Sequence, residues 1–255
     1  MLFLIPPSEG KTAPVKGYKL NLKKLPFPEL TSKRDELIDA LSQLCAKQPK
    51  KAAALLELGP TQHDLLGLNS ALRTQPCAAA IDIYTGVLFD HFDYSTLSSQ
   101  GKVRANNSIL IASALFGFVR PDSPIPSYRL SGSTVLPTIG PLAKFWKPEL
   151  GEILAAQDSE LVIDMRSGTY AKLAPIPKSD SCIELKVMTR VNGVLKSVTH
   201  FNKATKGDML RASFRSTLKP PVSIAGTEKY FRALGFDTSL AQTKSGHAEL
   251  VIETE

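Results

Sequence analysis

The first apolar positions of the chain, Leu2-Phe3-Leu4-Ile5, are continuous rather than alternating and end at Pro6-Pro7. An unbroken run of this length is the pattern of a short strand buried on both faces. Residues 108–113 and 160–165 repeat it with Ile109-Leu110-Ile111 and Leu161-Val162-Ile163. Between these runs the apolar period lengthens. Leu37, Ile38, Leu41 and Leu44 recur three and four apart, which predicts a helix over 32–47, with Ser32 as its cap and Glu36 near its start. Further helices are predicted over 50–58 (closed by Gly59-Pro60), 61–73, 141–156 (with Pro148 as an interruption), 203–217 and 223–234. Residues 78–83 read as another strand and 250–253 as a last edge strand. The runs 182–190 and 194–201 flank Asn192-Gly193, a strong hairpin signal. Pro14, Gly17, Pro26 and Pro28 make 13–31 an irregular connection, and 121–141 is a long Pro/Ser/Gly-rich loop with an extended piece at Tyr128-Arg129-Leu130. Buried strands alternating with helices, plus one hairpin, predict an α/β protein: a single domain over 1–255 whose mixed β-sheet is flanked by helices.

Composition narrows the class. In 255 residues, 43% hydrophobic and 22% charged side chains exclude collagen-like, low-complexity and mostly disordered chains. No apolar run approaches the roughly 18–20 residues of a membrane span, and the apolar start lacks the basic flank of a signal peptide. Cys45, Cys77 and Cys182 are odd in number and far apart, which argues against a disulfide framework or a CxxC site and for a cytoplasmic protein. His63, His91, His200 and His247 are isolated, so neither a metal nor another cofactor is expected. No GxSxG or Cys–His arrangement marks a nucleophile. The formal charge is +7, distributed as +4 over residues 1–60, −2 over 61–160 and +5 over 161–255. Two basic ends favour an anionic partner such as nucleic acid or a nucleotide.

Four segments could supply that chemistry. Pro7-Ser8-Glu9-Gly10-Lys11-Thr12 follows a strand and ends like a phosphate-binding loop, but Ile5 stands where that loop needs glycine and no helix pattern follows. Lys11 therefore reads either as a phosphate contact or as a solvated turn residue. Residues 50–68 place two short helices around Gly59-Pro60, a layout like a helix-hairpin-helix, which offers backbone N–H groups to a DNA phosphate; the expected glycine-apolar-glycine turn is absent, so a plain corner of the core fits these residues somewhat better. The segment 200–215 carries Lys203, Lys206, Arg211 and Arg215 against Asp208 alone, with Leu210 and Phe214 on one face and Arg211 and Arg215 beside it. Arg120 and Arg129 stand beside aromatics, where arginine can grip phosphate or stack on a base. Tyr84-Thr85-Gly86, Tyr128, Asp164 and Ser167-Gly168-Thr169-Tyr170 lie at or near strand ends, where α/β sheets collect ligands. Asp164 with Arg166 fits a buried ion pair as well as a catalytic acid.

In order, Ile5-Pro6-Pro7…Lys11-Thr12, Tyr84-Thr85-Gly86, Leu115-Phe116-Gly117…Arg120-Pro121…Tyr128-Arg129-Leu130, Phe145-Trp146, Ser167…Tyr170 and Lys203…Lys206-Gly207…Arg211 resemble the YaaA family over nearly the whole chain. The first loop is longer here than the Pro-Ala-Lys form of that family. The resemblance implies a one-domain α/β fold with a basic cleft and a helix-hairpin-helix-like element, binding to double-stranded DNA, and a part in limiting iron-driven damage under peroxide stress. The expected phosphate contacts are Lys11, Arg120, Arg129, Lys203, Lys206, Arg211 and Arg215, with Tyr84, Thr85, Tyr128, Asp164, Ser167 and Tyr170 lining the cleft. The alternative is an enzyme that acts on a nucleotide or nucleobase held by the same cations. Direct iron binding is disfavoured, since Cys and His do not cluster.

Overall fold

The computed structural model describes residues 1–157, 160–191, 194–196, 199–243 and 247–254. In chain order the elements are β1 (Leu2–Ile5), α1 (Thr31–Lys47), α2 (Pro49–Leu55), α3 (Asp64–Ser70), β2 (Cys77–Ala79), α4 (Ala80–Ile83), α5 (Val87–Phe92), α6 (Ser99–Ser108), β3 (Ile109–Ser113), β4 (Gly117–Val119), β5 (Pro124–Pro126), β6 (Val135–Leu136) and β7 (Gly140–Pro141). They continue with α7 (Leu142–Ala155), β8 (Val162–Asp164), α8 (Gly168–Ala171), β9 (Cys182–Val191), β10 (Val194–Lys196), α9 (Thr199–Arg215), α10 (Ile224–Ala233), β11 (Asp237–Gln242) and β12 (Ala248–Thr254).

The main sheet runs β11-β12-β9-β8-β1-β3-β4, with β10 paired to the far end of β9. The three unbroken apolar runs of the sequence are its centre. β1 pairs in parallel with β3 and with β8, so that Leu4 stands between Leu110 and Asp164. Continuous apolarity follows from that place: Phe3, Leu4, Ile5, Ile109, Ile111 and Ile163 are fully buried in one contiguous core. The sheet is mixed because β4 and β11 pair antiparallel at its two ends.

The topology fixes where a ligand can sit. From β1 the chain goes on to β3 on one side, whereas from β8 it goes on to β9 on the other. Loops leaving these two neighbouring strands diverge, and the crevice between them lies at their carboxyl ends.

Several local expectations are corrected. Residues 78–83 divide into β2 and one turn of helix, α4, in which Ala80 and Ile83 are buried; six residues are too few for the two periods to be told apart. The last strand is not an edge, because β11 covers it. β11 was invisible because Asp-Thr-Ser-Leu-Ala-Gln has a buried side chain only at Thr238. α9 begins at Thr199, where an extended segment was expected, and Asn192-Gly193 lies outside the described residues. Pro148 sits inside an unbroken α7. The expected helix pair over 50–73 shrinks to α2 and α3, joined through Glu57 at φ 53° and a 3-10 turn at Pro60–Gln62.

α9 crosses α5 at Gly207. A Cβ there would lie 2.4 Å from the Leu88 carbonyl oxygen and 2.9 Å from the Phe92 nitrogen. Backbone atoms cannot step aside as a flexible side chain can. Gly207→Ala is therefore expected to cost about 1–3 kcal/mol through overpacking, read as a lower urea midpoint; an unchanged midpoint would contradict this packing.

Candidate ligand cleft at the strand ends

A cleft of about 550 Å³ opens at that crevice. Its walls are the loop after β1 (Pro6 to Gly10), the turn from Thr85 into α5, Ser131, the segment after β8 (Ser167, Thr169, Tyr170) and Lys203 of α9. The loop after β1 is fixed to the turn before α5 by main-chain bonds. Thr12 N donates to Ile83 O at 2.8 Å, and Thr85 N donates to Gly10 O at 3.2 Å and to Ser8 Oγ at 3.0 Å. Gly86, at φ +101°, takes a backbone conformation that favours glycine and lets α5 start at once.

Beneath this loop is a chain of hydroxyls. Tyr84 OH and Tyr128 OH are 2.9 Å apart, Tyr128 OH and Ser113 Oγ 2.8 Å apart, and Ser113 Oγ accepts from Phe116 N. Burial pushes Tyr84 up to about 12 and Tyr128 well above the ordinary tyrosine value, so both stay neutral donors. Lys11 Nζ lies 4.3 Å over the Tyr128 ring and 5.5 Å from the Tyr84 ring, and donates to the Ser8 carbonyl at 2.8 Å. Burial lowers Lys11 to about 8; Glu9 opposes this lowering and Arg129 adds to it. Glu9 accepts from Arg129 Nη1 at 2.8 Å and from Tyr170 OH at 3.1 Å. Tyr170 is raised by burial first and by Glu9 second.

Of the residues expected at the site, Lys11, Tyr84, Thr85, Tyr128, Arg129, Ser167, Tyr170 and Lys203 gather in or directly beneath this cleft. The others stand apart. Arg120 donates to the carbonyls of Asn106 and Asn107 at the end of α6. Asp164 forms a buried ion pair with Arg166, 2.7 Å between Asp164 Oδ2 and Arg166 Nη2, beside a second cavity of about 300 Å³ that Glu184 and His247 also line. Lys206 is buried with its ammonium on the Met165 carbonyl at 2.9 Å, and burial lowers it to about 8 against the pull of Asp164. Farther along α9, Arg211 pairs with Asp208, while Arg215 donates to Thr96 Oγ1 with Asp93 at 3.9 Å. Glu9, Ser8 and Ser113 also belong to the site; Ser8 and Glu9 lie in the segment the sequence marked for Lys11, but none of the three was assigned a role. Glu9 was findable, as an acid two residues before Lys11 in a strand-end loop.

The family model described as peroxide stress protein YaaA matches residues 1–238. The chain belongs to this family. Its relatives include a UPF0246 protein of Streptomyces coelicolor, 37% identical over 249 residues, which cover 96% of this chain and 95% of that protein. A UPF0246 protein of Corynebacterium efficiens is 40% identical over 220 residues, 83% of this chain and 84% of that one. The family match over residues 1–238 includes the loop after β1 and helix α9. Among the described residues, no helix is long and apolar enough to cross a membrane, and no three His, Cys, Asp or Glu side chains are grouped to hold a metal ion.

Proposed function

We propose that this protein binds double-stranded DNA in the cytoplasm during the peroxide stress response, through cations on α9 and at the mouth of the cleft, and so limits iron-driven damage. The observation that carries this reading is how those cations are held. Lys203 is exposed on the cleft wall. Arg211 and Arg215 are 34% and 50% exposed, beside acids that are themselves about one-third exposed. Ion pairs this open are worth about 0–1 kcal/mol, so a DNA phosphate can replace either acid at little cost. Lys11, Lys206 and Arg120, by contrast, give donors to backbone carbonyls. The phosphate contacts therefore fall mainly to Lys203, Arg211, Arg215 and, once it leaves Glu9, Arg129. Such contacts read charge and spacing rather than base sequence.

The double variant Arg211→Glu, Arg215→Glu should lose duplex affinity by about 100-fold or more at low salt. The slope of log K against log salt should fall by about 2, one per lost phosphate contact. Fluorescence anisotropy with a labelled duplex measures both; unchanged affinity and slope would remove α9 from the interface.

A second reading has its own support in the depth of the cleft. A surface that only follows a duplex has no use for a 550 Å³ recess lined by Glu9, Tyr170 and Lys203. A nucleotide or nucleobase substrate does. Stabilisation by one particular mononucleotide in a thermal-shift series would favour that enzyme, whereas stabilisation that grows with duplex length favours the first reading.

A further inference from the structure

The carboxylate of Glu9 occupies a place built for an anion. Arg129 Nη1 donates to Glu9 Oε2 and Tyr170 OH to Glu9 Oε1, while Lys11 holds its ammonium on the carbonyls of Ser8 and Glu9. Arg129 is thus paired with the carboxylate, while Lys11 is bonded to main-chain carbonyls and feels Glu9 only through space, so two cations near the cleft face one acid. The Arg129 side chain is 17% exposed, whereas Glu9 is 45% exposed and lines the open cleft. Arg129 Nε is buried and has no hydrogen-bond partner among the described residues. A guanidinium presents a fork of donors that suits a multi-oxygen anion better than it suits one carboxylate oxygen. Glu9 is also the member best able to move. The main chain around it is held through Ser8, Gly10 and Thr12, but Glu9 itself is exposed and borders the cleft.

We propose that Arg129, Tyr170 and Lys11 form a phosphate-monoester site for which Glu9 is a built-in competitor, displaced when a ligand phosphate binds. This rests on the reading that the cleft receives a phosphate-bearing ligand, and it assigns that ligand's phosphate to a specified set of donors. The incoming group supplies oxygens to the Arg129 fork and to the Tyr170 hydroxyl, and its second negative charge is balanced by Lys11. The remaining volume of the cleft suits a nucleoside, either free or at the 5′ end of a strand.

Isothermal titration of the full chain tests this, using inorganic phosphate, adenosine 5′-monophosphate, adenosine, and a short oligonucleotide with and without a 5′-phosphate. Glu9→Gln removes the competing charge at an exposed residue and should bind inorganic phosphate and the monophosphate about 10-fold or more tighter than the unaltered protein. Adenosine and the unphosphorylated oligonucleotide should show no gain. A gain with the phosphorylated oligonucleotide but not with the free nucleotide would place the phosphate on a strand end. Adding Arg129→Gln or Tyr170→Phe to Glu9→Gln should cancel the gain; two alternatives guard against one that fails to fold. If Glu9→Gln binds every phosphate ligand no better than the unaltered protein, Glu9 is not a competitor and the proposal fails. The Arg211→Glu, Arg215→Glu protein keeps the two readings apart. Loss of duplex affinity without loss of phosphate affinity separates helix from cleft, and the Glu9→Gln gain is judged whatever the duplex result.

Discussion

Arg34→Met is expected to lower the unfolding free energy by about 3–5 kcal/mol, a large share of what a domain of ordinary stability possesses. Arg34 lies on α1 and is fully buried. Its Nε donates to the Phe116 carbonyl at 2.9 Å, its Nη2 to that of Phe118 at 3.0 Å and its Nη1 to that of Phe27 at 3.3 Å. Phe118 belongs to β4, the last strand at its end of the sheet, so the guanidinium supplies donors where no further strand pairs. Burial lowers the group from its ordinary value to about 10, and Glu29 only partly opposes this, so the folded chain bears a desolvation cost to hold it. Methionine relieves that cost. It also strands three carbonyls, each worth about 1–3 kcal/mol when left without a donor, and this larger sum decides the sign. Arg34→Lys should recover only part, because a single ammonium cannot span carbonyls two residues apart. Urea unfolding followed through Trp146, the only tryptophan and fully buried, reads the change. A loss below about 1 kcal/mol for Arg34→Met would mean that other donors close this edge.

Arg34 also shows what the sequence does and does not display. The apolar stripe of α1, Leu37, Ile38, Leu41 and Leu44, continues back through position 34 to Leu30 just before the helix. Periodicity could thus have flagged an arginine in the core, but not its three carbonyl partners, which lie 7, 82 and 84 residues away. The central strands were legible because burial on both faces leaves an unbroken apolar run. β11 was not, because an edge strand keeps its polar side chains in water. The cleft was legible as separate strand-end segments. Their convergence depends on β1 and β8 being neighbours that send their chains in opposite directions, and only the pairing pattern shows that. The basic residues illustrate the same limit. Composition registers Lys203 and Lys206 alike, whereas the fold exposes the first and buries the second.

That buried lysine gives the protein a stability that climbs with pH above 8. Lys206 titrates near 8 in the folded chain and near 10.5 when unfolded, chiefly because burial penalises its charge. Between those values the unfolded state binds more protons, so the slope of unfolding free energy against pH is positive. The cost of the buried charge is borne in full below pH 8 and relieved as the pH rises towards 10.5. A tenfold difference in proton affinity is worth about 1.4 kcal/mol, so the gain is roughly 3 kcal/mol over the window, about half of it between pH 8 and 9.5. Lys11, lowered to about 8 by burial, adds a rise of the same sign. Above pH 10 Tyr84, Tyr128 and Tyr170 act the other way: their raised values keep protons on the folded state that the unfolded state releases, so stability falls there. Lys206→Met removes one lysine's share and leaves the other contributions in place. Its stability relative to the unaltered protein should therefore be best at pH 7, where an apolar side chain of similar length escapes the desolvation cost, and should worsen steadily up to pH 9.5. Urea midpoints for the two proteins at half-unit steps from pH 7 to 9.5 measure the divergence. Parallel curves would mean that Lys206 reaches water and that its bond to the Met165 carbonyl is not a closed contact.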